Sequence, residues 1–161
     1  MPPTFWTRID DRLIHGQVTV GWRQHLRYDA ICVVDDVAAA DPALRDALRL
    51  AAPAGVVVHV YTTEEATSAL AASPSERTLL LLKSPQTALA LVEGGLSLSQ
   101  LNIGNLAARP GSVRVLKSIS LTVEDVAALD ALDARGIAIT FQPTPDDPTV
   151  DWRALRPRRF R

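Results

Sequence analysis

Residues 30–61 read AICVVDDVAAADPALRDALRLAAPAGVVVHVY, and this stretch contains the pattern that decides the fold. Two apolar runs, Ala30–Val34 and Val56–Tyr61, are each long enough for a strand and too short for a helix. Between them, Pro42–Ala51 has helical periodicity, with proline in the first turn, where a helix tolerates it. Two nearly continuous apolar strands joined through a helix predict a parallel pair, because parallel strands need a crossover connection.

The same alternation of strand and helix extends along the rest of the chain. Further strands are predicted at Trp6–Ile9, Leu79–Leu82, Leu101–Ile103 and Ile137–Phe141. Further helices are predicted at Gln17–Leu26, Glu64–Ala71, Pro85–Glu93 and Val123–Arg135. Thr122 and Asp125 have the spacing of a capping box, and Gly136 suits a left-handed helix end. We therefore expect an α/β fold with a doubly wound, mostly parallel sheet and helices on both faces.

The length of 161 residues indicates one domain, and no linker or internal repeat divides the chain. Asn105–Lys117 mixes Pro110 and Gly111 with bulky aliphatic residues, so it is open to a loop, a strand or both. From about residue 143 to residue 161 the sequence is rich in proline and arginine, which predicts an extended C-terminal arm. Trp152 is expected to hold this arm against the body of the domain.

Composition and charge exclude several classes of protein. Apolar residues make up 47% and charged residues 22%, as in an ordinary globular protein, and 17 basic against 18 acidic residues provide no overall field for nucleic acid. Cys32 is the one cysteine and does not combine with His25 or His59 at a metal-ligand spacing, so we expect no disulfide, metal or cofactor. With no leader pattern and no apolar run near 18 residues, a cytoplasmic location is expected.

The segment DDRLIHGQ, residues 10–17, links the first predicted strand to the first predicted helix. In an open parallel sheet, ligands bind beyond the carboxyl ends of the strands, which is where this loop is expected to lie. His15 directly precedes the helix, beside unpaired N–H groups and the positive end of the helix dipole, which together favour an anion such as phosphate. Gly16 lets the backbone approach that anion, and Gln17 is the second residue predicted to bind it.

Neutral imidazole is a good nucleophile at physiological pH, so His15 is equipped to accept a phosphoryl group. Arg12, three residues earlier, is the candidate that stabilises charge on the transferring oxygens. Asp10 has two interpretations: it orients the imidazole by accepting its other N–H, or it holds Arg12 in place. From spacing alone the alternative stays open that His15 is an ordinary hydrogen-bonded loop residue.

Two further polar positions are candidates for contact with a substrate or a partner. Asp35 and Asp36 end the second predicted strand at the same edge as His15, where a sugar or partner contact competes with a role in a turn or helix cap. Lys117 is a candidate phosphate or partner contact within the irregular stretch.

The segment RIDDRLIHGQV, residues 8–18, closely resembles the active-site motif of enzyme IIB proteins in the mannose/fructose/sorbose family of the sugar phosphotransferase system (PTS). The resemblance continues, through ICVVDD, LAAP, NIG and KSISLT, over nearly the whole chain. It implies that His15 takes a phosphoryl group from a IIA protein and transfers it to a sugar, and that Arg12 is needed for transfer. The implied fold is again a doubly wound, mostly parallel sheet.

The resemblance also implies partners and an activity. We expect a protein-phosphohistidine–sugar phosphotransferase with a hexose substrate, a separate IIA donor and the membrane components IIC and IID, which would hold the chain at the inner membrane. The sugar, the phosphorylated ring nitrogen and a homodimer stay open. The chain departs from the family pattern at Asn105, where members commonly have a second glycine, and this change affects the region expected to set sugar and partner specificity.

Two alternative functions remain from the sequence. One is a regulatory protein that changes its binding partners with the phosphorylation state of the same histidine. The other is a nucleotide-binding module, since the fold alone is compatible with it. No glycine-rich phosphate-binding pattern follows any predicted strand, which argues against the second alternative.

Overall fold

Strands and helices alternate along residues 5–72 and 77–160, the residues that this computed structural model describes. The strands are β1 (Phe5–Asp10), β2 (Ala30–Val34), β3 (Val57–Tyr61), β4 (Thr78–Leu82), β5 (Gln100–Asn105), β6 (Val113–Leu116), β7 (Ile119–Leu121), β8 (Ala138–Phe141) and β9 (Val150–Asp151). The α-helices are α1 (Gly16–Leu26), α2 (Asp36–Ala40), α3 (Pro42–Ala51), α4 (Thr63–Ala71), α5 (Pro85–Glu93), α6 (Val123–Ala134) and α7 (Trp152–Leu155).

The main sheet has seven strands in the order β3-β2-β4-β1-β5-β8-β9. Its pairings are parallel except that β9 runs antiparallel to β8. Strand β1 lies inside the sheet, with β4 on one side and β5 on the other. The predicted mostly parallel, doubly wound sheet is therefore confirmed, and it brings the first strand to the middle of the molecule.

Two apolar clusters fill the two faces of the sheet. One contains Trp22 of α1, Ala38 of α2 and Leu48 of α3, together with the strand residues that point toward them. The other contains residues of α4, α5, α6 and α7, including the large side chain of Trp152. Since connections in opposite directions along the sheet place their helices on opposite faces, this division is what a doubly wound order requires.

The predicted helix boundaries agree closely with the structure. Pro42–Ala51 and Pro85–Glu93 coincide with α3 and α5, and each begins with a proline in its first turn. The capping box predicted from Thr122 and Asp125 forms at the start of α6. Gly136 has a φ of 81° after α6, in the left-handed region that favours glycine.

The irregular stretch Asn105–Lys117 contains both loop and strand. Its first residue ends β5, and a loop then leads to the antiparallel hairpin of β6 and β7. The short helix α2 was not predicted, because its five residues contain less than two helical turns of periodic pattern.

The C-terminal segment packs on the side of the sheet that carries α6. It adds β9 to the edge of the sheet and buries Trp152, which is 1% exposed. Two arginines that flank this indole pair with α6: Arg153 with Asp133 at 2.8 Å and Arg156 with Asp130 at 2.7 Å. Among the helices in the described ranges, none combines the length and apolar character that a membrane span requires.

Candidate active site

The segment that links β1 to α1 lies at the carboxyl edge of the sheet, between the ends of β4 and β5. His15 is the N-cap residue of α1 and has extended backbone geometry, with φ −152° and ψ 129°. The imidazole forms no capping hydrogen bond and is partly exposed. The predicted position of this histidine, directly before the helix and at the carboxyl edge of the sheet, is therefore confirmed.

Thr19, one turn into α1, holds the backbone of His15. Its buried hydroxyl accepts a hydrogen bond from the His15 N–H at 3.1 Å and donates one to the His15 carbonyl at 2.8 Å. Thr19 thus fixes the backbone of the N-cap residue without capping the first N–H groups of the helix. These contacts involve only the backbone of His15 and leave its imidazole available to a ligand.

The beginning of α1 suits an anion. The first N–H groups of a helix have no partner inside the helix, and the first turn of α1 contains no acidic residue. A Cβ placed on Gly16 would meet nothing within 4 Å, and Gly16 lacks a positive φ, so neither packing nor backbone geometry within the described chain requires glycine there. Gln17 lies in α1, but its side chain is outside the described part of the structure.

Asp10 is fully buried at the end of β1 and forms a bidentate ion pair with Arg12. Arg12 donates from Nε to Oδ1 and from Nη2 to Oδ2 of Asp10, both at 2.9 Å, and its backbone N–H reaches Oδ1 at 3.1 Å. Of the two interpretations of Asp10, the structure favours the one in which it positions Arg12, because within the described residues no hydrogen bond joins Asp10 to the imidazole of His15.

Arg12 keeps 38% of its side chain exposed at the carboxyl edge of the sheet. The side-chain hydrogen bonds that Arg12 donates to Asp10 raise the pKa of Arg12 above its usual value, so the cation is retained. Nη1 takes no part in the fork with Asp10. A guanidinium fixed by two bonds, with Nη1 outside the ion pair, can bind an oxygen anion without losing its orientation.

Arg8, which the sequence reasoning did not select as a site residue, is the second arginine on Asp10. Its side chain is 0% exposed, and Nη2 lies 3.4 Å from Asp10 Oδ2. Burial lowers the pKa of Arg8 to about 10, which still leaves it cationic at neutral pH. A signal was present in the sequence, since a charged residue inside a run otherwise predicted to be a buried strand needs a partner.

Strain and burial fix the loop between Arg12 and His15. Leu13 has a φ of 59°, in the left-handed region that a bulky residue rarely adopts, and its N–H donates to the Asp10 carbonyl at 2.9 Å. Leu13 and Ile14 are 4% and 5% exposed within the apolar cluster that contains Trp22. Burial of these two side chains offsets the backbone strain, and the loop enters α1 in one conformation.

Asp11 joins the same loop to the end of β5. Its Oδ1 accepts from Asn105 Nδ2 at 2.6 Å, and its Oδ2 accepts from the Ala107 N–H at 2.8 Å. Asn105 is the position where the chain departs from the family pattern described above. The departure therefore adds a direct side-chain bond between the His15 loop and the segment that leads to the β6–β7 hairpin.

Asp35, Asp36 and Lys117 occupy different settings. Asp35 caps α2 by accepting the Ala38 N–H at 2.9 Å, and Asp36 accepts the Thr63 N–H at 2.7 Å. Lys117 is exposed in the turn between β6 and β7. Their roles in binding a substrate or a partner stay predictions. Within the described residues, no three His, Cys, Asp or Glu side chains form a group that could hold a metal ion.

The family model of the PTS system sorbose subfamily IIB component matches residues 5–159. The chain belongs to this family. The sorbose-specific EIIB component of Klebsiella pneumoniae is 37% identical over 147 residues, which cover 89% of each chain. The mannose-specific EIIAB component of Escherichia coli (strain K12) is 36% identical over 150 residues, which cover 92% of this chain and 46% of that protein. The chain thus spans about half the length of that relative.

Solved structures of IIB components have the same fold. The crystal structure of the IIBSor domain of the Klebsiella pneumoniae sorbose permease superimposes with a TM-score of 0.86 at 36% identity, covering 94% of this chain and 93% of that one. The β1–α1 loop with His15 thus belongs to an established IIB domain fold, and the family expected from the sequence is confirmed.

Proposed function

We propose that this chain is the IIB phosphocarrier of a sugar phosphotransferase system, with His15 as the residue that carries the phosphoryl group. The observation that carries the proposal is the position of His15: an imidazole without a capping bond stands at the open N-terminus of α1, in the loop where Asp10 holds Arg12. Membership of the IIB family supports the same function.

The chemistry takes place in two steps. In the first, a nitrogen of neutral His15 attacks phosphorus on the phosphorylated donor, a phosphorus–nitrogen bond forms, and the bond from phosphorus to the donor breaks. In the second, a sugar hydroxyl attacks the phosphorus, its proton is released, and the electron pair of the broken phosphorus–nitrogen bond returns to His15. Each step builds negative charge on the three equatorial oxygens of the phosphoryl group.

The residues of the loop have separate roles in these steps. The exposed side of Arg12 and the first N–H groups of α1 stabilise the phosphoryl oxygens, while Asp10 fixes the direction of the guanidinium. Gly16 and Gln17 provide backbone N–H groups at the same position, and the space above Gly16 admits the phosphoryl group. Asp36 and Lys117 are retained as proposed contacts for the substrate or a partner.

The proposed partners are a IIA protein as donor and membrane components IIC and IID, which present a hexose to the phosphorylated domain. The chain would then work in the cytoplasm, associated with the inner membrane through IIC and IID. The two relatives described above are named for sorbose and for mannose, so the hexose itself is left open.

The test is phosphorylation of the purified chain by phosphoenolpyruvate, enzyme I, HPr and a charged IIA protein, followed by intact mass. We expect an acid-labile addition of one phosphate in the wild type and none in His15→Ala. His25→Ala and His59→Ala are matched controls, because the chain has three histidines and these two lie away from the β1–α1 loop. Phosphate retained by His15→Ala would overturn the assignment.

A second measurement separates transport from regulation. The phosphorylated chain is mixed with membranes that contain IIC and IID, and labelled hexose is added. Loss of phosphate from His15 together with formation of sugar phosphate supports the transport role. A chain that is phosphorylated but transfers to no hexose with any such membrane would instead support the regulatory alternative.

A further inference from the structure

The buried guanidinium of Arg8 connects the His15 loop to two distant parts of the chain. Nη1 donates to Asn102 Oδ1 at 2.6 Å and to the Gln142 carbonyl at 2.9 Å. Nη2 donates to the Pro143 carbonyl at 2.7 Å and to Asp10 Oδ2 at 3.4 Å. Four hydrogen bonds from two nitrogens use the planar fork of arginine, a geometry that a lysine ammonium with three donors does not reproduce.

Gly104 on β5 makes room for this guanidinium. A Cβ at position 104 would overlap Nη1, Nη2 and Cζ of Arg8. Gly104 does not have a positive φ, so its backbone conformation does not require glycine. Glycine is therefore required at position 104 because the side chain of Arg8 occupies the space above β5. The centroid of the Trp22 ring lies 5.1 Å from Cζ of Arg8.

The charges of the cluster explain why a second arginine matters. Asp10 holds Arg12 through both carboxylate oxygens, and a single pair of this kind would have no net charge. With Arg8 on the same carboxylate, two cations face the one anion of Asp10, while the nearby Asp11 carboxylate also acts on Arg12. Arg8 is fully buried, so its charge is little screened by solvent and offsets the negative charge of Asp10.

We propose that Arg8 is a positioning residue for phosphoryl transfer, which holds Asp10 so that Arg12 keeps one direction and which offsets the negative charge of Asp10 beside the site of the phosphoryl group. Gly104 is part of the same arrangement, because it leaves space for the Arg8 side chain. The inference rests on the proposed function of His15, and it adds a role for two residues outside the β1–α1 loop.

Three variants separate the charge of Arg8 from its geometry. Arg8→Met removes the charge, Arg8→Lys keeps the charge without the fork, and Gly104→Ala keeps every charge but displaces the guanidinium. Gly21→Ala is the matched control, because its Cβ would meet Pro145 at an ordinary 3.8 Å. We expect Arg8→Met and Gly104→Ala each to slow transfer from His15 to sugar by about 10- to 100-fold.

Two readouts distinguish positioning from a purely structural role. The Nε–H of Arg12 is followed by NMR, and its protection from solvent exchange is expected to fall in Arg8→Met and Gly104→Ala. The rate of transfer from phosphorylated His15 is the second readout. Arg8→Lys is expected to transfer faster than Arg8→Met but more slowly than the wild type, because it keeps the charge without the fork.

A double variant supplies the sharpest control. With methionine at position 8 the overlap with a Cβ at position 104 disappears, so Arg8→Met/Gly104→Ala is expected to transfer no more slowly than Arg8→Met alone. If the loss of transfer rate in the double variant equals the combined losses of the two single variants, the link between Arg8 and Gly104 is overturned. Normal transfer in Arg8→Met, with the Arg12 Nε–H still protected, would overturn the proposal itself.

The NMR readouts also separate this proposal from the proposed function. If wild-type His15 accepts no phosphate, the proposed function fails, and Arg8 loses its role in transfer even where Arg12 is released in the variants. If His15 is phosphorylated normally and Arg12 is unaffected, only the proposal on Arg8 fails. Should Arg8→Met not fold, the Gly104→Ala measurements decide the outcome.

Discussion

Asp10 and Asp125 are both fully buried near the start of a helix, and each forms an ion pair with an arginine. The two ion pairs nevertheless have different roles. Asp10 ends β1 and accepts from Arg12 Nη2 at 2.9 Å, and Asp125 in the first turn of α6 accepts from Arg109 Nη2 at 2.8 Å. The two arginines are similarly exposed, at 38% and 36% of their side chains. The exposure of the paired arginine therefore does not distinguish the two junctions, although Asp10 also pairs with the buried Arg8.

The junctions differ in how the helix begins. Asp125 completes the capping box with Thr122 and also accepts from Gln86 Nε2 at 3.0 Å, so its oxygens close the start of α6. In the described ranges, helices α2 to α7 each have an N-cap side chain that accepts a backbone N–H: Asp35, Asp41, Thr62, Ser84, Thr122 and Asp151. Helix α1 instead has His15, whose imidazole makes no such bond.

The comparison shows how a purely structural junction differs from the one proposed as the active site. At Asp125 the carboxylate caps the helix and the arginine holds a loop in place, so the helix end is closed. At Asp10 the carboxylate orients an arginine, and the helix end remains open to an anion next to the imidazole of His15. Four pairs of variants test this difference, in order of decreasing effect on free energy.

Removing the negative charge is expected to be far more costly at Asp10 than at Asp125. Asp10→Asn leaves Arg8 buried without its counter-ion, which should lower the free energy of unfolding by about 3–5 kcal/mol. Asp125→Asn leaves Arg109, which already reaches solvent, and should cost about 1–2 kcal/mol, mainly through the weaker helix cap. Urea unfolding of both variants measures the difference.

Labelling of Cys32 gives an independent check of these stabilities. The thiol is 1% exposed on β2, and burial raises its pKa to about 12, so the native state should resist alkylation. We expect labelling to be faster in Asp10→Asn than in Asp125→Asn, since it requires opening of the fold. Equal rates and equal urea midpoints would show that Arg8 does not depend on Asp10.

Replacing the two arginines by lysine should separate activity from stability. Arg12→Lys loses the fork on Asp10 and the fixed Nη1 outside the ion pair, so transfer to sugar should fall by about 10- to 100-fold, equivalent to about 1.5–3 kcal/mol, with the fold intact. Arg109→Lys should leave transfer unchanged. Single-turnover transfer from phosphorylated protein measures both, and a normal rate in Arg12→Lys would remove Arg12 from the mechanism.

Changing the N-cap residues of α6 and α1 should change the free energy of unfolding in opposite directions. Thr122→Ala removes the cap of α6 and should lower the free energy of unfolding by about 1 kcal/mol, with phosphorylation unaffected. His15→Ser supplies α1 with a side-chain cap and should raise stability by about 0.5–1 kcal/mol, with phosphorylation abolished. Thermal unfolding and intact mass record the two effects, and a destabilised His15→Ser would contradict the idea that α1 lacks a cap.

The smallest effect on stability is expected at Gly16. Gly16→Ala places a methyl group in open space, so the free energy of unfolding should change by less than about 0.5 kcal/mol. Phosphorylation by IIA should nevertheless slow, because the methyl group enters the space proposed for the phosphoryl group. Initial rates are compared with those of Gly21→Ala, and identical rates would place the phosphoryl group elsewhere.

Local pattern was sufficient for most of the fold. Pro42–Ala51 and Pro85–Glu93 were predicted with their observed boundaries because a first-turn proline and apolar periodicity mark a helix over a short stretch. The strand around Trp6–Ile9 was predicted too short, since β1 continues to Asp10, a buried polar residue that ends the apolar run. Strand β6 lies in the stretch that is open to a loop or a strand, and β7 was not predicted, because its three residues are too short for a recognisable pattern.

The sequence by itself determined the fold class and pointed to the segment proposed as the active site, because His15, Arg12 and Asp10 lie within six residues of one another in one strand-to-helix turn. Only the tertiary structure showed what supports that segment. Arg8 bonds to residues 94, 134 and 135 positions away, and Asn105 reaches Asp11 over 94 positions. Such contacts arise when parallel strands from distant parts of the chain meet at one edge of the sheet, and no local spacing encodes them.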